Sequence, residues 1–568
     1  MLNINEIKTK IKGEVDDSEQ TLIKYSRDAS IFEVRPACVV HPKDAEDVKA
    51  LVRFVSAQKQ PPLTPPFEKG GNEGGLSITA RSAGTDMSGG PLNEGIIADF
   101  TTHFKSILGW GPNFVEIEPG VFYRDFEPLG LARGLLLPCY TASKSLNTVG
   151  GMVGNNSAGE KSLAFGQTYK YVEELNVVLS DGNEYTFTDL EQRELEQKLK
   201  LPNFEGEIYR KMFHLIKENK RLIDAAKPKT SKNSAGYLLW EVWDGIKFNL
   251  AKLFVGSQGT LGLVTKIRFR LIEPYPKNAL VVMFLKEISN LGEIVADVVQ
   301  HRPESFESYD DQTLQMAVRF MPGMLKKMSR GAGSRFAGIG NIVRLALQFL
   351  PELWMAITGG MPKLILIAEF TGDSQEEVNE KASLLEREVQ GKFHIKTRIC
   401  RSEAEVQKYW TIRRESFALL RQHVSGKATA PFIDDIAVLP EKLPKFLPEL
   451  NQILNKYKDK IVYTVAGHMG NGNFHIIPLM NLADESQRAI IPKLSDEVYD
   501  LVLRYGGTIT AEHNDGLIRT PYLEKMYGKD VIALFQEVKN IFDPLNIFNP
   551  RKKVGADLKF ALEHIKTS

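Results

Sequence analysis

The chain has 568 residues and a formal net charge of +1, and 43% of its residues are hydrophobic. This length is too great for one compact core and predicts two to four domains. The ordinary hydrophobic fraction excludes a disordered chain, and the balanced charge gives no basis for general nucleic-acid binding. Cys38, Cys139 and Cys400 are too few for a disulfide framework or an all-cysteine iron–sulfur site. We therefore expect a reduced, cytoplasmic setting.

The sequence contains no recognisable export signal or membrane span. Residues 1–17 are charged every few positions and lack an apolar core. The most apolar segment, residues 342–357, is interrupted by Arg344, Pro351 and Glu352, which favours an amphipathic or buried helix. Peripheral association of this segment with the inner face of a membrane is left open.

The predicted elements of the first half begin with an apolar run at residues 38–41 and a helix over residues 44–58, N-capped by Asp44. Residues 61–75, PPLTPPFEKGGNEGG, predict a mobile surface insertion. Beyond residue 77, apolar runs alternate with glycine clusters. These runs predict strands over residues 96–100, 115–117, 175–179, 253–255 and 264–269.

The second half predicts a further α/β domain. Its pattern is a strand at residues 280–284, a helix at 291–301, a strand at 364–370 and a charged helix at 374–389. Residues 321–361 predict a helix-rich insertion within it. Residues 461–477 then predict a strand hairpin with a glycine-rich tip, and residues 529–553 predict a helix followed by FDPLNIFNPRKK.

Three glycine-rich segments are candidates for binding a ligand through the backbone. They are residues 80–91 (ARSAGTDMSGGP), 137–166 and 252–265 (KLFVGSQGTLGLVT). Small residues let the backbone turn sharply and present consecutive N–H groups to an anion. In the third segment, a strand is expected to enter the turn, and Ser257 and Thr260 could add hydroxyl donors. Each segment alone is equally compatible with an ordinary tight turn, and no GxGxxG or GxxxxGK[ST] motif occurs.

In order and spacing, the three segments resemble the flavin-binding domain of the vanillyl-alcohol oxidase/p-cresol methylhydroxylase superfamily. The resemblance implies that FAD is bound by the first loop, the central segment and the last segment. The implied residues are Arg81, Ser82, Ala83, Gly84, Thr85, Asp86, Met87, Ser88, Pro138, Thr148, Gly150, Gly151, Asn155, Asn156, Gly159, Gly256, Gly259, Thr260, Gly262 and Val264. Some members attach FAD through a histidine in the first loop. Because His103 lies outside that loop, noncovalent FAD is implied here.

Two histidine motifs locate the chemistry. Residues 466–475 read AGHMGNGNFH, so His468 and His475 flank a Gly-Asn-Gly turn. If the turn is a hairpin, both imidazoles can converge on one side and bind a metal such as zinc with a carboxylate. Two hydrogen-bonded structural histidines remain the alternative. Further on, Glu512 and His513 are adjacent and would point to opposite faces of an extended chain.

Together, GHxGxGNxH and the later Glu-His pair resemble the FAD-dependent D-2-hydroxyacid dehydrogenases, which include D-lactate, glycolate and D-2-hydroxyglutarate dehydrogenases. The resemblance implies a divalent metal, zinc with manganese or iron as alternatives, on His468, His475 and Glu512, with His513 as general base. The segment WTIRRE implies that Arg413, or alternatively Arg414, binds the substrate carboxylate. The ending FDPLNIFNP implies that Asn549 approaches the flavin.

The sequence departs from that family at several positions. Asn471 replaces a common aspartate, Asn-Asp-Gly follows His513 instead of Gly-Ile-Gly, and Arg551 replaces a glycine. A substrate-binding lysine of some members is missing, since Ile433 and Asp434 occupy that position. The missing lysine leaves the substrate undetermined among lactate, glycolate, 2-hydroxyglutarate and larger acids.

The resulting expectation is an α+β enzyme that oxidises a D-2-hydroxy acid and passes electrons to a separate iron–sulfur subunit, electron-transfer flavoprotein or quinone. Its expected domains are an FAD-binding domain at 1–272, a ferredoxin-like substrate domain at 273–500 and a C-terminal segment at 501–568 that completes the active site. Two alternatives are a redox-neutral FAD transferase of the alkyldihydroxyacetonephosphate synthase type and a non-catalytic flavoprotein subunit.

Overall fold

A computed structural model describes residues 3–59, 76–311, 362–400, 402–423 and 427–567. The insertions predicted at 61–75 and 321–361, including the apolar segment 342–357, lie outside the described residues. The chain divides into two units: residues 1–159, 166–274 and 508–568 form the first, and residues 160–165 and 275–507 form the second. Within the described ranges, no helix is both long and apolar enough to cross a membrane.

The first unit contains a small mixed sheet. Its strands are β1 (Glu14–Asp16), β2 (Cys38–His41), β3 (Ile78–Arg81) and β4 (Ile96–Asp99), in the order β1-β2-β4-β3. Strands β2, β4 and β3 are parallel, and β1 is antiparallel to β2. The predicted helix is confirmed as Ala45–Gln58, and its N-cap Asp44 accepts a hydrogen bond from the Asp47 amide at 3.1 Å. Its buried stripe, including Val48 and Val52, packs on this sheet.

The second sheet of this unit is antiparallel. It contains β5 (Ile107–Trp110), β6 (Phe114–Ile117), β7 (Val172–Val178), β8 (Glu184–Thr188) and β9 (Leu263–Arg270), in the order β5-β6-β9-β7-β8. Burial alternates along β9, as expected for a strand with one face on the core. The strand predicted at 253–255 is wrong: Leu253 and Phe254 end the helix Ala251–Phe254, and Val255 is its C-cap. An apolar run this short does not distinguish a buried strand from a helical turn.

The described part of the first unit also contains helices and short 3₁₀ turns. The helices are Ile4–Lys10, Glu19–Tyr25, Ala45–Gln58, Tyr123–Leu131, Val149–Asn155, Gln192–Leu199, Phe204–Glu218, Lys220–Ala226, Ala251–Phe254, Gly516–Arg519, Leu523–Phe542 and Leu558–Glu563. Short 3₁₀ turns lie at Thr168–Lys170, Leu239–Glu241 and Thr520–Tyr522.

The second unit begins with a ferredoxin-like arrangement, as predicted. Its strands are β10 (Lys277–Leu285), β11 (Ser305–Asp310), β12 (Leu364–Gly372) and β13 (Lys396–Cys400). Helices Leu291–Gln300 and Gln375–Phe393 follow β10 and β12, and the antiparallel order β13-β10-β12-β11 is that of a split βαβ unit.

Further strands extend this sheet beyond β11. They are β14 (Ala428–Thr429), β15 (Ile436–Ala437), β16 (Val462–His468) and β17 (Asn473–Met480), and β16 pairs with β11 at Ser308. Among the described residues of this unit, further helices are Ser162–Phe165, Glu403–His423, Leu443–Asn455, Glu485–Arg488 and Ile490–Arg504, with 3₁₀ turns at Pro440–Lys442 and Met469–Asn471. The predicted hairpin is confirmed as β16 and β17, which are antiparallel and joined by the Met469–Asn471 turn.

Candidate active site

The first glycine-rich segment forms a loop that Asp86 shapes from within. One oxygen of its carboxylate accepts hydrogen bonds from the Ser88 amide at 3.0 Å and the Gly90 amide at 2.8 Å. The other accepts from Asn155 Nδ2 at 2.8 Å. Gly84 has a φ of +69°, which permits the sharp turn at the start of the loop. Residues 82–85 and Met87 stay partly exposed, so this loop is fixed in shape and accessible to a ligand.

Arg81 is used differently from the rest of the predicted loop. Its guanidinium donates to the carbonyls of Tyr25 at 3.0 Å and Arg27 at 2.6 Å, and it lies over the Tyr25 ring. Burial is the main cause of the lowered pKa of Arg81, and nearby carboxylates oppose it. The described contacts of this side chain therefore join the loop to the N-terminal segment.

The central segment forms the short helix Val149–Asn155, which starts beside the loop. Thr148 caps it by accepting from the Gly151 amide at 3.3 Å, and its own hydroxyl donates to Ser82 Oγ at 2.8 Å. A Cβ at Gly150 would lie 2.6 Å from the Pro119 carbonyl oxygen, so only glycine fits there. A Cβ at Gly151 would meet Ser82 at an ordinary 3.4 Å. Gly150 is thus required by the fold, whereas Gly151 leaves room beside the loop.

Three other predicted residues of the central segment are packing positions. Asn156 ends the helix in the left-handed conformation, and its buried side chain joins the Asn233 carbonyl and the Tyr169 amide. A Cβ at Gly159 would lie 2.1 Å from the Tyr140 carbonyl oxygen, and Pro138 is buried.

The third segment enters its turn from a helix, contrary to the strand that we expected. The turn uses left-handed conformations at Gly256, Gln258 and Gly259. The hydroxyls expected to serve a ligand are used locally: Ser257 donates to the Phe254 carbonyl at 2.9 Å, and Thr260 donates to the Ser257 carbonyl at 2.8 Å. Gly262 and Val264 lie at the start of β9, against β7.

Gln258 connects the three segments, and the sequence reasoning missed it. Its side-chain amide donates to Ser88 Oγ at 3.2 Å, and its backbone amide donates to the Gly154 carbonyl at 2.9 Å. Asn549, fully buried, adds the C-terminal segment: its amide donates to the carbonyls of Gly90 at 2.9 Å and Gln258 at 2.7 Å. The side chain of Asn549 thus joins the loop at residues 80–91 to the turn at residues 256–260. We call this loop, this turn and the helix Val149–Asn155 the cradle. The predicted approach of Asn549 to a flavin stays a prediction.

The predicted Glu512–His513 pair lies on a bend of the first unit, not on extended chain as we expected. Asn514, which follows, has a φ of +69° and its side chain donates to the Gly256 carbonyl at 2.9 Å. Glu512 forms an ion pair with Lys232 at 3.1 Å, and both side chains are buried. His513 keeps 22% of its side chain exposed, so it is accessible beside a buried carboxylate.

In the second unit, the hairpin brings His468 and His475 together, as predicted. His475 lies opposite Ala466, and His468 lies opposite Asn473, which puts both imidazoles on one face. Their ring centroids are 5.2 Å apart with the rings at 84°.

Each of these histidines contacts a buried carboxylate that the sequence reasoning did not identify. His468 Nδ1 lies 2.6 Å from Glu307 Oε1, and His475 Nδ1 lies 3.1 Å from Asp434 Oδ1. A carboxylate at Nδ1 favours the tautomer that carries the proton there and presents Nε2 on the other side of the ring. Imidazoles that bind metals have this type of partner.

The two adjacent arginines of the helix Glu403–His423 have different partners. Arg413 is buried, and its guanidinium lies 3.1 Å from the second oxygen of Glu307. Arg414 pairs with Glu160 through two nitrogens, one of them at 3.0 Å. Glu307 therefore joins Arg413 to His468, whereas Arg414 is engaged by a different carboxylate.

Two protein-family models match the chain. The model of the FAD binding domain matches residues 69–188, and the model of the C-terminal domain of FAD linked oxidases matches residues 276–553. Together they include the first two glycine-rich segments, the histidine hairpin and the Glu512–His513 bend, whereas the third segment, residues 252–265, lies between the two matches.

Two curated relatives illustrate the range of the similarity. The chain is 27% identical to D-2-hydroxyglutarate dehydrogenase of Pseudomonas putida, over 95% of the chain and 50% of that protein. The chain thus spans about half the length of this relative. It is 24% identical to the glycolate oxidase subunit GlcD of Bacillus subtilis, over 96% of the chain and 94% of that protein.

Solved structures share the fold. p-Cresol methylhydroxylase superposes with a TM-score of 0.65 at 16% identity, over 98% of this chain and 96% of that chain. Alkyldihydroxyacetonephosphate synthase superposes with a TM-score of 0.62 at 14% identity, over 95% of this chain and 83% of that chain.

Proposed function

We propose that this chain, which belongs to the FAD-linked oxidase family, oxidises a D-2-hydroxy acid to the 2-oxo acid and passes the electrons to a separate acceptor. The observation that carries the proposal is in the second unit. There one buried carboxylate, Glu307, contacts both a histidine of the hairpin and the buried Arg413. Arg413 can bind the carboxylate of a hydroxy acid. His468, with a carboxylate at Nδ1, is the type of imidazole that binds a metal, and a metal could contact the hydroxyl of the acid.

The cradle of the first unit fits FAD, which supplies the acceptor for the hydride of carbon 2. The partly exposed loop at 82–85, the room beside Gly151 and the backbone shaped by Asp86 and Gln258 support this fit. Flat ligands need backbone approach without intervening side chains. No histidine occurs in residues 80–91, so we propose that FAD is bound noncovalently.

A divalent metal, zinc or alternatively manganese or iron, is proposed on His468, His475 and Glu512. The carboxylates at the Nδ1 atoms of both histidines support this choice, because they match the outer partners of metal-binding imidazoles. A metal at a substrate hydroxyl would lower the pKa of that hydroxyl.

The remaining steps use the chain's own groups. Arg413 would pair with the substrate carboxylate and fix the orientation of carbon 2, while Glu307 keeps its guanidinium in place. His513 would accept the hydroxyl proton; imidazole suits this role near neutral pH. Its exposed fraction of 22% gives the proton a route to water.

The redox-neutral transferase is the second candidate. A resemblance to alkyldihydroxyacetonephosphate synthase would imply consecutive histidines after the glutamate, whereas Asn514 and Asp515 follow His513 here. Both are fully buried and hydrogen-bonded to neighbouring segments. A non-catalytic role is disfavoured by the retained His468, His475, Glu512 and His513.

The test is anaerobic bleaching of the bound flavin by a panel of hydroxy acids. D-lactate, glycolate, D-2-hydroxyglutarate and larger D-2-hydroxy acids would each be mixed with the purified protein, with the L-enantiomers as controls. Bleaching by a D-acid or glycolate, with equimolar 2-oxo acid, is expected. Absence of bleaching with every acid would favour the transferase or the non-catalytic role.

A further inference from the structure

Lys232 is a buried cation that contacts the carboxylate of Glu512. Its side chain is fully buried, and its ammonium donates to Glu512 Oε2 at 3.1 Å across 280 residues of sequence. A buried ammonium is expensive unless it is paired, and a buried ion pair often adds little net stability. The pair therefore calls for an explanation beyond stability.

The backbone around Lys232 is already fixed to the segment that carries Glu512. The Ser234 amide donates to the Thr510 carbonyl at 3.1 Å, and the Gly236 amide donates to Asp515 Oδ2 at 2.8 Å. Thr508 Oγ1 donates to Asn233 Oδ1 at 2.6 Å. These bonds align residues 233–236 with residues 508–515 without any contribution from the Lys232 side chain.

A second buried ion pair anchors the same segment. Lys553 Nζ contacts Asp515 at 2.8 Å and also donates to the carbonyls of Ser234 and Gly236, each at 2.9 Å. The segment that carries Glu512 is therefore held by Lys553 through Asp515, three residues after Glu512. An ammonium at Glu512 is not needed to attach this segment; what it contacts is one oxygen of the Glu512 carboxylate.

We propose that Lys232 is a positioning residue that orients the Glu512 carboxylate for metal binding. This inference rests on the proposed function, in which Glu512 is a metal ligand. Lys232 contacts one carboxylate oxygen, Oε2, and restricts rotation of the group. Carboxylates that bind metals are themselves hydrogen-bonded, and loss of such a partner typically weakens metal affinity about 10- to 100-fold.

The experiment measures Zn²⁺ affinity of the full-length, FAD-loaded protein. The metal is removed with a chelator, and Zn²⁺ is titrated against a competing chelating dye. The variants are Lys232→Met, Glu512→Gln and the double variant, with Lys229→Met as the control, since Lys229 is exposed three residues away. We expect Lys232→Met to bind Zn²⁺ about 10- to 100-fold more weakly, and Lys229→Met to bind it as the parent does.

The double variant separates positioning from a general structural effect. If Lys232 acts through Glu512, the double variant binds Zn²⁺ no more weakly than Glu512→Gln alone. Equal loss in both backgrounds would overturn the proposal, as would parental affinity in Lys232→Met. Parental affinity in Glu512→Gln would instead overturn the ligand role of Glu512, and with it the inference.

Retained flavin absorbance and far-ultraviolet circular dichroism report whether each variant folds. Lys232→Arg covers the case in which Lys232→Met does not fold, because it keeps the buried charge and moves it. We expect its Zn²⁺ affinity to lie between those of the parent and Glu512→Gln. Parental affinity in this variant, with Lys232→Met unfolded, would contradict a role in orienting the carboxylate.

Discussion

The cradle of the first unit and the histidine hairpin of the second are built on different principles. The cradle is made of backbone turns and small residues, and its organising side chains, Asp86 and Gln258, bind backbone or neutral groups. The candidate site on the hairpin is made of titratable side chains, in which Glu307 contacts His468 and Asp434 contacts His475. FAD binding in the cradle should therefore depend on the space that small residues leave. Metal and substrate binding at the hairpin should depend on charge.

This difference predicts how each region fails. A substitution in the cradle should act through an added atom, and a substitution in the hairpin or at the Glu512–His513 bend should act through a lost charge or proton acceptor. The two kinds of failure have separate readouts, namely flavin retention and metal or substrate chemistry.

The largest effect is expected at the proton acceptor. His513→Ala should keep FAD but lower the rate of flavin reduction by substrate about 10²- to 10⁴-fold, the usual contribution of a general base. Stopped-flow absorbance under anaerobic conditions measures it. His214→Ala is the matched control, because that side chain is 71% exposed on a helix. Flavin reduction at the parental rate in His513→Ala would contradict the role of His513 as the proton acceptor.

The next effect tests the charge behind the hairpin. Glu307→Gln keeps the shape but removes the charge shared by His468 and Arg413, so metal affinity should fall about 10- to 100-fold. Competition with a chelating dye gives the affinity. Glu376→Gln, at an exposed position of the same unit, should leave metal affinity unchanged. If Glu307→Gln binds metal as tightly as the parent, the hairpin does not depend on this charge.

Adjacent glycines test the cradle. Gly150→Ala places a Cβ against the Pro119 carbonyl and should destabilise the fold by about 1–3 kcal/mol, as overpacking does. Gly151→Ala meets only ordinary contacts, so it should keep the apoprotein's melting temperature while weakening FAD binding. Thermal unfolding with and without added FAD distinguishes them. Normal FAD affinity in Gly151→Ala would mean that the flavin does not lie against this residue.

The smallest effect concerns a buried lysine of the first unit. Burial lowers the pKa of Lys552 to about 7, and its ammonium donates to the Leu92 carbonyl at 2.5 Å. The unfolded chain, with an ordinary lysine pKa, binds more protons between pH 7 and 10.5. The free energy of unfolding should therefore rise with pH in that window, by at most about 1.4 kcal/mol per unit. Urea unfolding at pH 7 and pH 9 measures the rise in the free energy of unfolding. This rise should be smaller in Lys552→Met than in the parent protein. An equal rise in both would mean that other groups cause the pH dependence.

Local patterns predicted most of the fold. The helix Ala45–Gln58 with its cap Asp44 and the hairpin of β16 and β17 follow from periodicity and turn residues that lie within a few positions of one another. The apolar run at 253–255 was too short to decide between strand and helix, and the bend at Glu512 depends on Asn514, whose bonds reach residues far away in sequence.

The candidate site divides in the same way. Glycines and histidines were visible because their motifs are local, and the hairpin register alone brings His468 and His475 together. The charged partners of the site residues could not be predicted from the sequence. Glu307 lies 161 residues from His468, and Lys232 lies 280 residues from Glu512. A single charged residue on a strand or loop has no distinguishing spacing, so only the folded chain identifies it.

The proposed function requires the transfer of a hydride from carbon 2 of the hydroxy acid. Isotope substitution at that carbon tests this step most directly. The protein with bound flavin would be mixed anaerobically, in a stopped-flow instrument, with the D-2-hydroxy acid that bleaches it best, carrying either hydrogen or deuterium at carbon 2. We expect slower bleaching with deuterium and one 2-oxo acid formed per flavin reduced. Equal rates in a reaction limited by flavin reduction, or bleaching without 2-oxo acid, would contradict it.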